Sequence, residues 1–310
     1  MGLMAPSFST RLAAIDIGSN AIRMLAAEFT DATTYRTLEL HRIPVRLGHD
    51  VFTTGELNAA TIDAAVEGLA NFGHRIRALS VTKTRAVATS AVRDSRNGTE
   101  LLERARRDAG IDIDVISGKE EAQLVHLAVR NRVPLSSHQW VLADLGGGSL
   151  EVSLIDRAHV ISTATYPVGA VRLLEHLGTD FQPDEVHRLV QERTTMLGSV
   201  LKAATDRFIA TGGNIEALAR LAGAKYDAQR VAILGLDRLR EITRELSSLS
   251  YEQRIAQLGL REDRADVILP AAIVYEWLAI QVGADSIVVP GVGVKEGVLW
   301  DMIDQKGTVE

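Results

Sequence analysis

Along the first half of the chain, short continuous apolar runs alternate with stretches whose apolar residues recur at helical spacing. Leu12–Ile17 runs into Asp16-Ile17-Gly18-Ser19-Asn20 and predicts a buried strand entering a tight turn. Ala21–Phe29 and Tyr35–Leu47 read as a second and a third strand. From Thr61 to Leu79, Ile62, Ala65, Val66, Leu69, Phe72 and Ile76 line one face of a helix. Lys83–Ala91 is β-like, Glu100–Asp108 helical, Ile111–Ile116 a strand and Lys119–Asn131 a helix. This alternation predicts an α/β domain.

The opening pattern then recurs. Trp140–Leu145 is an apolar strand that runs into Asp144-Leu145-Gly146-Gly147-Gly148-Ser149, and Leu150–Ile155 returns from it. Asp16 and Asp144 are separated by about the length of a domain, which predicts duplicated halves facing one another across a cleft. The remainder is largely helical, over Gly169–Leu177, Asp184–Ala203, Leu236–Ser247 and Arg264–Val282. Two short strands, Arg207–Ala210 and Ser286–Val289, each lead into glycines. Pro134, Ser136 and Ser137 break the pattern between Arg130 and Ser137, so the expected domains are residues 1–131 and 132–310.

A chain of 310 residues suits two domains, and 46% hydrophobic with 24% charged residues is ordinary for a soluble globular protein. A net charge of -6 argues against general nucleic-acid binding. With no cysteine, thiolate nucleophiles, disulfides and cysteine metal sites are excluded. Met1–Thr10 has neither the basic start nor the apolar run of a signal peptide. The most apolar helix candidate, Val267–Val282, is interrupted by Pro270, Tyr275, Glu276 and Gln281, so a cytoplasmic protein without a membrane span is expected.

The two Asp-x-Gly turns are the strongest chemical signal. Glycine after a strand lets the backbone turn sharply and bring its N–H groups near a bound oxyanion. Gly146, Gly147, Gly148 and Ser149 form one such set, and Gly18, Ser19 and Asn20 a similar one. Asp16 and Asp144 at the strand ends suit a magnesium ion or its water shell, although a single turn of this kind could equally be an ordinary hairpin. Glu151, on the returning strand, offers a second carboxylate near Asp144.

Ser117-Gly118-Lys119-Glu120-Glu121 opens a helix, and Ser117 with Glu120 fits a capping box. Glu121 is then either a first-turn acid favoured by the helix dipole or a general base on a water attacking phosphorus. Arg93 ends a β-like run and could grip phosphate oxygens, with Lys83, Arg85 and Arg96 nearby; a solvated surface cation is the plainer reading. Thr211-Gly212-Gly213-Asn214 forms a third strand–glycine–helix junction, and Gly291-Val292-Gly293 precedes a helix with Lys295 and Glu296 in its first turn. No histidine pair suggests zinc, and neither a G-x-S-x-G elbow nor a Walker A loop is present.

Taken in order, AIDIGSNAIRML, TSAVR, ISGKEEAQL, ADLGGGSLEV, ATGGN and VKEGVL resemble the exopolyphosphatase/guanosine-pentaphosphate phosphatase family over about Arg11 to Met302. The resemblance implies two ribonuclease-H-like domains of the actin, sugar-kinase and heat-shock ATPase superfamily, with the active site in the interdomain cleft. It implies that Glu121 is the base orienting the lytic water and that Asp144 and Glu151 hold Mg²⁺ (or Mn²⁺). It also implies phosphate contacts from Gly146, Gly147, Gly148 and Ser149, joined by Ser19, Asn20 and Arg93. Longer members continue into a helical HD-type region, so the resemblance is to the short form. Lys295 stands where the family often has arginine, which removes a bidentate contact. The last helix is expected to pack back on the first domain, and a homodimer is implied.

The expected activity is Mg²⁺-dependent release of terminal phosphate from short polyphosphate by water, with pppGpp as a second substrate. An acidic protein must then concentrate its basic residues at the site of a polyanionic substrate. Two alternatives stand beside it: a kinase of the same superfamily passing phosphate from ATP to an acceptor, and a non-catalytic sensor binding guanosine polyphosphate or polyphosphate.

Overall fold

The computed structural model describes residues 9–31, 33–195, 197–202, 205–225 and 230–305. Met1–Phe8 of the expected non-signal segment, and Ala203 at the end of one expected helix, lie outside the described residues. The chain divides into two compact units, residues 1–117 with 294–310, and residues 118–293.

The first unit contains β1 (Thr10–Ile17), β2 (Ile22–Phe29), β3 (Tyr35–Ile43), α1 (Leu47–Thr54), α2 (Ala59–Ala78), β4 (Lys83–Ala88), α3 (Ser90–Asp94), α4 (Gly98–Arg104) and β5 (Ile113–Val115). Its sheet runs β3-β2-β1-β4-β5. β1 pairs antiparallel with β2 and parallel with β4. It is therefore a central strand, which explains why its residues are apolar without alternation. β3, at the edge, is mostly exposed or half-buried.

α2 is amphipathic: Ile62, Ala65, Val66, Leu69 and Phe72 are buried and join Ile15, Ile17 and Met24 in one core. Its start is set by Asn58, whose side chain accepts from the Thr61 amide. The helical pattern expected through Asp108 ends at Arg104, and Ala105–Ala109 continue it as a wider π-turn. The third strand stops at Ile43, and of its expected last residues only Leu47 is helical, opening α1.

The second unit contains α5 (Gly118–Arg130), β6 (Gln139–Leu145), β7 (Leu150–Asp156), β8 (His159–Tyr166), α6 (Ala170–Leu177), α7 (Pro183–Arg193), α8 (Leu197–Lys202), β9 (Phe208–Thr211), α9 (Gly213–Leu221), β10 (Ala232–Gly235), α10 (Leu236–Ser248), α11 (Tyr251–Leu258), α12 (Glu262–Ala265), α13 (Ile268–Val282) and β11 (Ser286–Val289). Read from its β8 edge, its sheet runs β8-β7-β6-β9-β11-β10. The first five strands repeat the order of the first sheet, with β6, β7, β8, β9 and β11 in the places of β1 to β5. Both units are ribonuclease-H-like α/β folds, and the duplication suggested by the two glycine turns is a duplication of topology.

The division falls before α5, whereas the breaks at Pro134, Ser136 and Ser137 suggested one after it. α5 packs on β6, β7 and β8, and a Cβ on Gly118 would collide with the Thr165 side chain of β8. Residues 134–137 fall within the second unit, where Leu135 is buried. The final helix, α14 (Val294–Asp304), packs on β1 and β2 of the first unit. Trp300 meets the ring of Phe29 edge-on at 5.2 Å, and Asp301 pairs with Arg85 at 2.7 Å.

α13 is apolar on every side and fills the second unit's core. The stretch Glu262–Val282 is long and apolar enough to cross a membrane, but 78% of its apolar 18-residue window is buried inside the fold, as in a core helix. Pro270 lies in the first turn of α13, where a missing N–H costs no internal hydrogen bond.

Candidate active site

Antiparallel pairing of β6 and β7 places Asp144 directly opposite Glu151, so the seven-residue spacing through the glycine turn becomes a side-by-side carboxylate pair. Glu121 joins them from the first turn of α5. One carboxylate oxygen from each of Glu121, Asp144 and Glu151 lies within 4.8 Å of the others. The three residues are 4%, 6% and 2% exposed. Carboxylates packed this closely repel one another, and a hard divalent cation among them relieves that repulsion. An all-oxygen donor set fits Mg²⁺ or Mn²⁺ better than a softer metal.

The glycine turn beside them is built so that its carbonyls face one way. Gly146 C=O accepts from Ala170 N–H at 3.0 Å, and Gly147 C=O from Val171 and Arg172 N–H at 2.8 and 3.0 Å. The Arg172 guanidinium donates to Gly148 C=O at 2.7 Å. A trans peptide points its N–H opposite to its C=O, so the amides of Gly147, Gly148 and Ser149 are turned away from α6. Three successive donors aimed in one direction form a concave oxyanion cradle. Gly169 makes this possible: a Cβ there would lie inside the Gly147–Gly148 peptide. Sequence reasoning placed Gly169 at a helix start but missed this role, because the contact joins residues distant in the chain.

Asp144 is held from behind. Thr211, its parallel partner on β9, donates its hydroxyl to Asp144 Oδ1 at 2.7 Å, and the Tyr275 hydroxyl donates to Thr211 C=O at 2.7 Å. Burial, reinforced by the nearby Asp144 carboxylate, pushes the Tyr275 phenol well above its usual range, so it stays a donor. Gly212, at φ +105, turns the chain at this point, and a Cβ there would meet Leu145 C=O at 2.7 Å. Gly212 and Gly213 lead into α9 behind Asp144, where Arg264, buried at 5% exposure, donates to Asn214 Oδ1.

The remaining candidates lie in the first unit. Asp16, expected as a further metal ligand, is paired within its own sheet. Its register partner is Arg23, which donates to Asp16 Oδ2 at 3.3 Å. Burial raises the Asp16 carboxyl, while Arg23 and Lys295 pull it down. An arginine partner of this kind competes with a cation for the carboxylate.

The turn after β1 is also organised. Gly18 N–H bonds Ala21 C=O at 3.2 Å, and Gly48 N–H bonds Ser19 C=O at 2.8 Å. Ser19 and Ser90 share a buried hydroxyl hydrogen bond of 3.0 Å, and Asn20 Oδ1 accepts from Arg46 at 3.0 Å. Arg93 ends α3 and donates to Ile116 C=O at 2.8 Å. Arg46 carries no motif; it immediately precedes α1, and only the folded chain brings it to Asn20. Lys295, in α14, pairs with Glu296 at 2.8 Å.

Known proteins resemble this chain along nearly its whole length. The exopolyphosphatase 2 of Mycobacterium tuberculosis is 30% identical over 312 residues, covering 93% of this chain and 97% of the relative. A guanosine-5'-triphosphate,3'-diphosphate pyrophosphatase of Vibrio atlanticus is 27% identical over 94% of this chain, which spans 59% of that protein. The crystal structure of an exopolyphosphatase from Cytophaga hutchinsonii superposes with a TM-score of 0.89 at 26% identity, covering 96% of this chain and 98% of the other. The Ppx/GppA phosphatase family model matches residues 30–306, and on that match the chain belongs to the Ppx/GppA phosphatase family.

Proposed function

We propose that the chain is a phosphoanhydride hydrolase that releases terminal phosphate from short polyphosphate, with pppGpp as a second substrate, and that it depends on Mg²⁺ or Mn²⁺. The observation that carries this reading is the buried cluster of Glu121, Asp144 and Glu151 beside the amide cradle of Gly147, Gly148 and Ser149. In this assignment Asp144 and Glu151 hold the cation and Glu121 orients the attacking water. When bound, the cation neutralises charge on the phosphoryl oxygens.

The water oxygen bonds to the terminal phosphorus as its bridging P–O bond breaks, and the electron pair leaves with the shortened chain. Glu121 takes the water proton and later returns it to solvent. We assign stabilisation of charge on the transferring group to the cradle amides, with Gly146, Gly212 and Gly213 as further phosphate contacts. We assign further phosphate contacts to Gly18, Ser19, Asn20 and Arg93 of the first unit.

The test is phosphate release from short polyphosphate and from pppGpp, in Mg²⁺ and in EDTA, for wild type and Glu121→Gln. Metal-dependent release that the substitution abolishes supports the reading and ranks the substrates. Binding without release from either substrate would sink it in favour of a sensor.

A further inference from the structure

We propose that Thr211 and Tyr275 are positioning residues that fix the Asp144 carboxylate for cation binding, an inference that rests on the metal site proposed above. Thr211 is 1% exposed and Tyr275 fully buried, so neither hydroxyl trades its partner for water. The Thr211 hydrogen bond occupies one lone pair of Asp144 Oδ1 and holds the carboxylate plane, leaving the other lone pairs directed elsewhere. Tyr275 fixes the peptide from which that hydroxyl projects. It is the one phenol on α13, and its ring sits in the core while its hydroxyl crosses to the end of β9. Gly212 completes the arrangement, because a Cβ there would press on the Tyr275 hydroxyl at 3.3 Å.

The duplicated unit supplies an internal comparison. Where Thr211 stands opposite Asp144, Val87 stands opposite Asp16 in the same parallel register. Where Glu151 stands beside Asp144, Arg23 stands beside Asp16. The hydroxyl is thus found in the copy with the paired carboxylates and is absent from the copy whose aspartate is held by an arginine. A threonine needed only to fill the end of a β-strand would be as well replaced by valine, as it is in the first unit. Outer-sphere hydrogen bonds to ligating groups commonly change metal affinity by about 10–100-fold.

The experiment uses the full chain and Mn²⁺ alone as probe, titrated by electron paramagnetic resonance without substrate, with melting temperature followed alongside. Thr211→Val is expected to bind Mn²⁺ about 10–100-fold more weakly. Thr211→Ser should bind as wild type does, and Tyr275→Phe several-fold more weakly. In the phosphate-release assay the half-saturating Mn²⁺ concentration should rise more than kcat at saturation falls. If Thr211→Val does not fold, Tyr275→Phe carries the same test. Wild-type affinity in Thr211→Val or, failing that, in Tyr275→Phe overturns the inference. So does a Thr211→Ser variant as weak as Thr211→Val, since methyl packing would then decide. In either case loss of binding in Glu151→Gln leaves the metal site standing. A wild-type chain that binds no Mn²⁺ removes the metal site itself, and this inference with it.

Discussion

Asp144 and Glu151 are direct partners across β6 and β7, and the same register in the first unit joins Asp16 to Arg23. One duplicated scaffold therefore carries a carboxylate pair in one copy and an internal ion pair in the other. The chemistry of a proposed cation site follows from which residue faces the strand-end aspartate.

Glu121→Gln keeps the volume and removes the negative charge. If Glu121 orients and deprotonates the water, phosphate release should fall about 10²–10⁴-fold. The melting temperature should hold or rise, because one of three crowded carboxylates has been neutralised. Release at the wild-type rate by a folded variant would remove Glu121 from the chemistry.

Asp144→Asn and Glu151→Gln should each raise the metal concentration needed for half-maximal phosphate release, and EDTA should stop release by the wild type. Asp16→Asn should leave that metal requirement unchanged, because the Asp16 carboxylate is engaged by Arg23 in its own sheet. A metal titration of the three variants separates these roles. An Asp16→Asn variant that loses its metal response would contradict the assignment.

Gly169→Ala introduces a Cβ into the Gly147–Gly148 peptide, a backbone contact that cannot yield cheaply. Overpacking of this kind costs about 1–3 kcal/mol, and here it also displaces the amide cradle. The expected result is a lower melting temperature together with a raised KM for polyphosphate. Gly178→Ala is the control: its added methyl meets nothing within 4 Å, so it should act only through backbone strain at φ +79 and leave KM alone.

The Asp16 carboxyl is raised by burial in the folded chain, so it binds its proton more tightly there than in the unfolded one. Its contribution is most favourable below the ordinary carboxylate value of 3.8 and declines as pH rises through the raised folded value. Arg23 limits that decline by stabilising the charged form. Arg23→Met should therefore cost more stability at pH 7 than at pH 4, with the neutral-pH loss at or below about 3 kcal/mol because the pair is partly solvated. Urea unfolding at the two pH values measures the difference, and equal losses would show that the pair contributes little.

Much of the fold was legible because the central strands β1 and β6 are buried on both faces and read as unbroken apolar runs. The same runs end in glycine turns, which exposed the duplication. β8 was missed because it lies at a sheet edge with four of its first residues exposed, so no apolar periodicity marks it. β10 and α11 were missed for a similar reason, being short or lacking buried residues. The expected helix Asp184–Ala203 is divided between α7 and α8, a break that its continuous pattern conceals.

What the sequence determined by itself is the local chemistry: two Asp-x-Gly turns, a glutamate in a first helical turn, and a carboxylate on the returning strand. These are signals carried within a few residues, where backbone geometry and side-chain type act together. Tertiary structure alone decided that Glu121 joins Asp144 and Glu151, that Gly169 and α6 align the glycine-loop amides, and that Thr211 and Tyr275 stand behind Asp144. Each of those contacts joins residues far apart in the chain, and strand register with helix packing, not local pattern, sets which side chains meet.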